Sequence, residues 1–401
     1  MKIVQIEDFF HPDAGYQVNI LSKYLVKFGH SVTILTGDLE HIPERLTGFF
    51  GKEDIAGRDR LYETATGVRI VRLPLRAYVS GRAFFDGSLP QHIRAENPDI
   101  LFAHGNDVLS GMWATLNRRK LGCPLVLDSH MLEMASENRL RQAFRLFYRT
   151  FFTPIIKREN LTVIRTQDDP YVEKCLGIPL TQAPWISYGS DTLLFHPDAA
   201  VKAAFRKAHG ISRDAFVVVY AGKMDEAKGG RLLAELTAKT LHTDREVVYL
   251  IVGNAAGDYG REVEAAFTKS PYRVLRFPTQ KYAELAPFFQ CADLAVFPRQ
   301  CSLSFYDVQA CGLPVLFEDN NINVARCSHG NGWTFRAESC EDFAAQLERI
   351  VNLPAEGFAS VSACALTFIR ENYDYEAKAR EYEQILLTQR DLWLKKNEKR
   401  G

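Results

Sequence analysis

The stretch Phe297-Pro-Arg-Gln-Cys-Ser-Leu-Ser-Phe-Tyr-Asp307-Val-Gln-Ala-Cys-Gly-Leu-Pro-Val-Leu-Phe-Glu318 is the one from which the fold reads outward. The apolar run Leu294–Phe297 leads into it as a buried strand, and small polar residues then open a short helix closed by Gly312 and Pro314. That is a strand, loop, helix, strand unit. Ser302 and Ser304 stand at the helix entrance, where free backbone N–H groups and the positive end of the helix dipole favour an anion. A phosphate is the natural guest, and the rest of the chain is read for its second half-site.

The residues before this stretch repeat the same alternation. Phe216–Ala221 is an uninterrupted apolar strand, as expected in the middle of a parallel sheet. The loop Gly222 to Gly230 follows, then a helix carrying Leu232, Leu233, Leu236 and Leu241. Lys223 and Lys228, in a glycine-bounded loop at a strand's C-terminal end, form a cationic clamp of the kind a diphosphate needs. Val247–Val252 and Tyr272–Phe277 read as further strands, and Tyr282–Phe289 as helical. Beyond Leu316, helices are expected from Glu341 to Val351 and from Gly357 to Arg370. A long helix over 375–396 carries Tyr375, Tyr382, Ile385, Leu386, Leu392 and Trp393 on one side, a stripe that needs a surface to cover.

The first half opens with a βαβ pattern: strand Lys2–Ile6, loop Phe10–Gly15, a helix with Val18, Leu21, Leu25 and Phe28 on one face, a stop at Gly29-His30, and strand Ser31–Leu35. Residues 37–67 are polar, glycine-rich and poorly periodic, and read as a long loop. Two apolar strands then end in histidines, His104 and His130, placing both at the sheet edge where open α/β sheets bind ligands. A satisfied structural histidine is the alternative for His104, whereas Asp128 and Ser129 beside His130 favour function there. Residues 139–158 interleave arginines with phenylalanines, which suits either a helix lying on an anionic membrane or, the favoured reading, an ordinary helix with one core face. The density of Pro, Gly and Ser from Pro184 to Pro197 marks a domain junction, placed near Pro197.

Composition limits the function classes. A chain of 401 residues is long for one core and suits two domains. Lys plus Arg equals Asp plus Glu at 49 each, so no global field recruits nucleic acid or membrane. No apolar run approaches the roughly 18 residues of a spanning helix, and the opening Met1–Asp8 suits a strand better than a signal peptide, so a cytoplasmic protein is expected. The eight cysteines include no C-x-x-C pair, which argues against a zinc site and a secreted disulfide framework.

Several of these segments together resemble the retaining GT-B glycosyltransferases known as glycosyl transferases group 1, or glycosyltransferase family 4. Gly222, Lys223, Lys228 and Gly229 resemble the family's G-R/K…K-G donor loop. Tyr188 to Pro197 resembles its N/Y-G-V-D-x-x-x-F-x-P hinge, and 307–315 its E-A-M-A-C-G-L-P-V, the close of an E-x7-E signature. The loop to Gly15 and the helix ending at Gly29-His30 also match. The resemblance implies two Rossmann-like domains facing across a cleft: 1–197 for the acceptor, 198–374 for a nucleotide-sugar, and 375–401 as a helix crossing back to the first domain.

By the same resemblance Lys223 and Lys228 neutralise the diphosphate and Asp307 holds the ribose. Backbone groups of Leu303 and Ser304 hold phosphate oxygens, those of Gln300, Cys301 and Ser302 approach the sugar, Gly15 admits the donor, and His130 lies near the transferred sugar. His104 is an acceptor-side candidate. The implied reaction is metal-independent transfer with retention from a nucleoside-diphosphate sugar, expected to be a UDP-sugar, to a hydroxyl of a glycan or glycolipid in surface polysaccharide synthesis, without any cofactor. Peripheral membrane contact through 139–158 is a candidate; nucleic acid is not a partner. The first Glu of the signature falls on Arg299, which either reads a carboxylate-bearing sugar or turns away into a salt bridge. A non-catalytic GT-B partner in an assembly complex and a nucleotide-sugar epimerase are the competing readings.

Overall fold

The computed structural model describes residues 1–43, 47, 50–79, 81–133, 140–299 and 303–398. Two compact units emerge, Met1–Tyr188 with Tyr375–Gly401, and Gly189–Asp374. The division therefore falls nine residues ahead of the expected boundary at Pro197. The reason is local. Ser190 pairs with the backbone of Tyr373 and Phe195 is fully buried against Tyr282 and Phe289, so the hinge-like segment is core of the second unit.

In the first unit, β1 (Lys2–Glu7), β2 (Ser31–Gly37), β3 (Arg69–Leu73), β6 (Ile100–Ala103), β7 (Leu125–Ser129) and β8 (Thr162–Arg165) form one parallel sheet in the order β3-β2-β1-β6-β7-β8. β4 (Leu75–Val79) and β5 (Arg82–Phe85) make a separate antiparallel hairpin. The second unit repeats the design. There β9 (Phe216–Ala221), β10 (Val247–Val252), β11 (Arg273–Phe277), β12 (Leu294–Phe297), β13 (Val315–Glu318) and β14 (Gly332–Phe335) run parallel in the order β11-β10-β9-β12-β13-β14. In each sheet the strand order reverses between its first and fourth strands, and the loops leaving that pair at their C-terminal ends are the ligand positions of doubly wound sheets.

The segment expected to be loop contains a helix, Ile55–Thr66. It lacks an apolar stripe because it docks by polar contacts. Asp59 takes two hydrogen bonds from Arg72 at 2.6 and 2.8 Å, and Tyr62 donates to the Asn19 carbonyl at 2.7 Å with its ring edge-on to Phe10. Residues 44–46 and 48–49 of that segment lie outside the described residues. The basic aromatic stretch is two helices, Arg141–Phe151 and Thr153–Glu159, divided just ahead of Pro154; its first residue, 139, is not described. The expected helix at 282–289 is likewise a 3-10 turn, Tyr282–Glu284, followed by Ala286–Cys291.

The last helix, Tyr375–Glu398, covers the helix Gln17–Lys27 of its own unit. Tyr375 donates to the Gln17 carbonyl at 3.2 Å, Gln17 Nε2 meets the Tyr382 hydroxyl, and Glu383 pairs with His30 at 2.7 Å. The aromatic stripe is only half used: Tyr375, Tyr382 and Leu386 are buried, but Leu392 is 51% exposed. Urea unfolding should separate them, Leu386→Ala costing about 2–5 kcal/mol and Leu392→Ala well under about 1 kcal/mol; equal losses would contradict this packing.

Candidate active site

On the first unit, the C-terminal edge of the sheet is organised by Asp128, fully buried at the end of β7. Its Oδ2 accepts from His104 Nδ1 at 2.7 Å, and its Oδ1 accepts from the Gly105 amide at 2.7 Å and from His130 Nε2 at 3.0 Å. His104 Nε2 reaches Gln5 Oε1 at 2.7 Å, and Gln5 in turn donates to Ser22 Oγ. His104 is thus sealed between a carboxylate and an amide and is 3% exposed. His130 is about one third open, and its Nδ1 meets the Tyr188 hydroxyl at 2.7 Å. Burial pushes the Asp128 carboxyl up, but the two histidines outweigh it and hold it well below the carboxylate range. Burial likewise opposes charge on His130, and Asp128 with Tyr188 overrides it, raising the imidazole well above its usual value. Both nitrogens of His130 are engaged, Nε2 with Asp128 and Nδ1 with the Tyr188 hydroxyl, and the Asp128 carboxylate favours the charged form of the ring.

The ligand-type atoms of His104, Asp128 and His130 lie within 4.8 Å of one another, the spacing of a metal site. Each histidine nitrogen facing Asp128 carries the proton of a hydrogen bond, so a cation would have to displace both.

Glu7, at the end of β1, was not singled out from the sequence as a site residue. It points to the same face as Gln5 by strand alternation, accepts from the Phe9 amide at 3.3 Å, and burial outweighs the nearby histidines to push its carboxyl up to about 7. The two-residue spacing from Gln5 was the available signal. Gly15 stands two residues ahead of the helix Gln17–Lys27, in the loop that leaves β1.

On the second unit, the loops after β9 and β12 leave from the switch point. The lysine loop is laced to its surroundings: Gly222 N donates to the Val252 carbonyl at 3.0 Å, the Tyr220 hydroxyl to the Lys223 carbonyl at 2.6 Å, and Lys228 N to Asp225 Oδ1 at 2.9 Å. A Cβ on Gly253 would sit 1.9 Å from the Gly222 carbonyl oxygen, so only glycine allows this approach. Lys223 and Lys228 are half-buried in the loop. Ser304 is the first residue of the helix Ser304–Ala310, and its Oγ reaches the Ala221 carbonyl at the end of β9 at 3.5 Å; Leu303 precedes it as the N-cap. Gln300, Cys301 and Ser302 lie outside the described residues.

Arg299 is engaged within the protein. Its guanidinium donates to the Glu226 carbonyl at 3.2 Å and pairs with Glu338 at 3.0 Å, the arrangement of the second of the two sequence readings. Asp307 is buried, and one oxygen, Oδ1, accepts from Ser190 Oγ at 2.7 Å and from the Tyr282 hydroxyl at 3.2 Å. Burial outweighs both hydrogen bonds and pushes its carboxyl up to about 7.

With this geometry in place, two family descriptions match the chain: a glycosyl transferase 4-like domain over residues 14–154 and glycosyl transferases group 1 over residues 215–352. The chain belongs to the GT-B glycosyltransferases. Its two Rossmann-like domains are those of that family's fold. The D-inositol 3-phosphate glycosyltransferase of Saccharomonospora viridis is 26% identical over 323 residues, 73% of either chain. The D-inositol 3-phosphate glycosyltransferase 1 of Catenulispora acidiphila is 27% identical over 234 residues, so the chain spans about half of that relative's length, 56%. Among solved structures, a glycosyltransferase from Rickettsia africae superposes with a TM-score of 0.74 at 12% identity, covering 97% of this chain and 98% of that one. Anabaena HepE in complex with UDP and glucose gives 0.72 at 16% identity, covering 97% and 100%. At such identities the likeness to the solved structures is one of fold.

The Asp307 carboxyl makes a pH prediction. Between the ordinary carboxylate pKa of about 4 and about 7, the folded protein holds a proton that the unfolded chain has released, so this group's contribution to stability falls as pH rises through that window. Asp307→Asn removes it. The fall in unfolding free energy from about pH 5 to about pH 8 should be smaller in the variant by a few kcal/mol at most; an unchanged slope would show that Asp307 does not titrate there.

Proposed function

We propose that the protein transfers a sugar from a UDP-sugar to a hydroxyl of a glycan or glycolipid, with retention of configuration and without a metal, at the cytoplasmic face of a membrane during surface polysaccharide synthesis. The observation that carries the reading is the pairing of two elements at one switch point. The lysine loop after β9 and the helix entrance after β12 leave adjacent strands, joined through Ser304 and Ala221. A cationic loop beside a helix entrance suits a diphosphate. That HepE is described with UDP and glucose, and that WaaG, a similar fold at 14% identity and TM-score 0.64, is described as acting in lipopolysaccharide biosynthesis, supports the donor and the setting.

In the proposed reaction the acceptor oxygen forms a bond to the anomeric carbon on the face from which the nucleoside diphosphate leaves. The bond from that carbon to the diphosphate oxygen breaks, and the acceptor's proton passes to the leaving diphosphate. Lys223 and Lys228 stabilise the charge that develops there, the part a metal takes in other transferases. His130, engaged by Asp128 at Nε2 and by Tyr188 at Nδ1, contributes orientation and, through Asp128, a bias toward positive charge. Asp307, its Oδ1 already accepting two hydroxyl protons, receives the ribose through its remaining oxygen.

A membrane surface as partner has its own support. Leu140, Leu146, Phe147 and Phe151 are exposed, and residues 140–158 hold Arg141, Arg145, Arg149, Lys157 and Arg158 with no carboxylate. No single helix among the described residues is long and apolar enough to cross a membrane. Flotation with phosphatidylglycerol vesicles should carry the protein upward, and Phe147→Ser with Phe151→Ser should abolish it while leaving neutral vesicles unbound throughout; equal recovery with neutral lipid would refute the electrostatic part.

The donor reading is tested with UDP in the presence of EDTA. At about 100-fold excess over its dissociation constant UDP should stabilise the protein by about 2.7 kcal/mol, and Lys228→Ala should remove most of that stabilisation. Loss of the effect on adding EDTA would refute metal independence, and no stabilisation by any nucleoside diphosphate would refute the donor.

A further inference from the structure

Arg299 occupies the position where the family carries a carboxylate, and its surroundings suggest a different duty. The turn that bears Lys228 is closed by two backbone hydrogen bonds: Gly229 N donates to the Glu226 carbonyl at 3.1 Å, and Gly230 N to the Asp225 carbonyl at 3.2 Å. The same Glu226 carbonyl receives Arg299 NH1 at 3.2 Å, from the loop after β12. The two loops also touch along the side chain. A Cβ built on Gly229, whose φ is +75°, would lie 3.0 Å from Arg299 Cγ and 3.1 Å from Pro298 Cβ. The arginine stem thus runs against the turn before its head reaches the carbonyl.

The far end of the guanidinium is anchored in turn. NH2 pairs with Glu338, whose own amide donates to Glu318 Oε1 at 2.9 Å, and Glu318 ends β13. Glu338 is mostly exposed, so the ion pair by itself contributes little. What matters is direction. The pair and the packing hold the guanidinium in line with the Glu226 carbonyl, and a carboxylate at position 299 could not donate to that carbonyl at all.

We propose that Arg299 is a positioning residue for the donor site: it braces the 222–230 turn so that Lys223 and Lys228 are held ready for the diphosphate, and it does not read the sugar. The inference rests on the diphosphate reading of that loop. Arg299 and the lysines belong to the same unit, so the brace acts within one sheet edge. It also changes what a substitution there does. A sugar-reading residue affects discrimination between sugars, whereas a brace affects affinity for any ligand that carries the diphosphate.

The test compares UDP with uridine on the full chain by calorimetry and NMR titration, using the unmodified protein, Arg299→Ala and Arg299→Lys, alongside hydrogen exchange without ligand. Arg299→Ala should weaken UDP binding by about tenfold while leaving uridine affinity unchanged, and should speed exchange of the 222–230 amides more than those of β9. Arg299→Lys, which keeps a donor, should recover part of the UDP affinity. UDP affinity unchanged in Arg299→Ala would overturn the proposal. So would parallel loss of UDP and uridine affinity, which would mean a general structural defect. If the unmodified protein binds no nucleoside diphosphate, the donor reading fails along with the brace; if it binds UDP and the variants bind equally, only the brace fails.

Discussion

A carboxylate with no exposure to water is costly unless donors surround it, and Asp128 is such a group. Three donors converge on it, from His104, the Gly105 amide and His130, and together they join the ends of β6 and β7. Through His104 and Gln5 the same network reaches β1 and the helix behind it. The network therefore sets the positions of three strand ends. It also favours charge on His130, since a buried carboxylate beside an imidazole raises that ring's pKa.

The hydrogen bonding at His130 bears on the proposed reaction as well. With both nitrogens of His130 engaged, by Asp128 and by Tyr188, the role proposed for it is orientation. In the proposed transfer the charge to be handled is the diphosphate's, and the residues proposed for it are the lysines of the second unit. There the limiting requirement is close backbone approach. Gly253 against Gly222 and Gly229 against Pro298 and Arg299 bring three loops into contact at a switch point that larger side chains would hold apart.

Much of this was legible in the sequence because its signals are short-range. Apolar runs such as Phe216–Ala221 announce buried parallel strands, and glycine-bounded loops between them announce the sites. The helix Ile55–Thr66 was not legible because it docks through Asp59 and Tyr62 and so lacks the apolar periodicity that marks a helix. The hinge boundary was displaced for a related reason: a run rich in proline and glycine reads as linker, yet Phe195 and Ser190 are packed core. The exposed end of the last helix shows the converse, an apolar stripe that outruns the surface it covers.

The sequence by itself determined the two parallel sheets, the lysine loop and the family, because strand period, glycine position and motif spacing are properties of neighbouring residues. Tertiary structure alone decided what the side chains at those positions face. Glu338 and the Glu226 carbonyl lie 39 and 73 residues from Arg299, and Ser190 lies 117 from Asp307. Partners so far apart in the chain leave no periodic trace, and whether a charged group reads a ligand or holds a loop is settled only by where its partners fold.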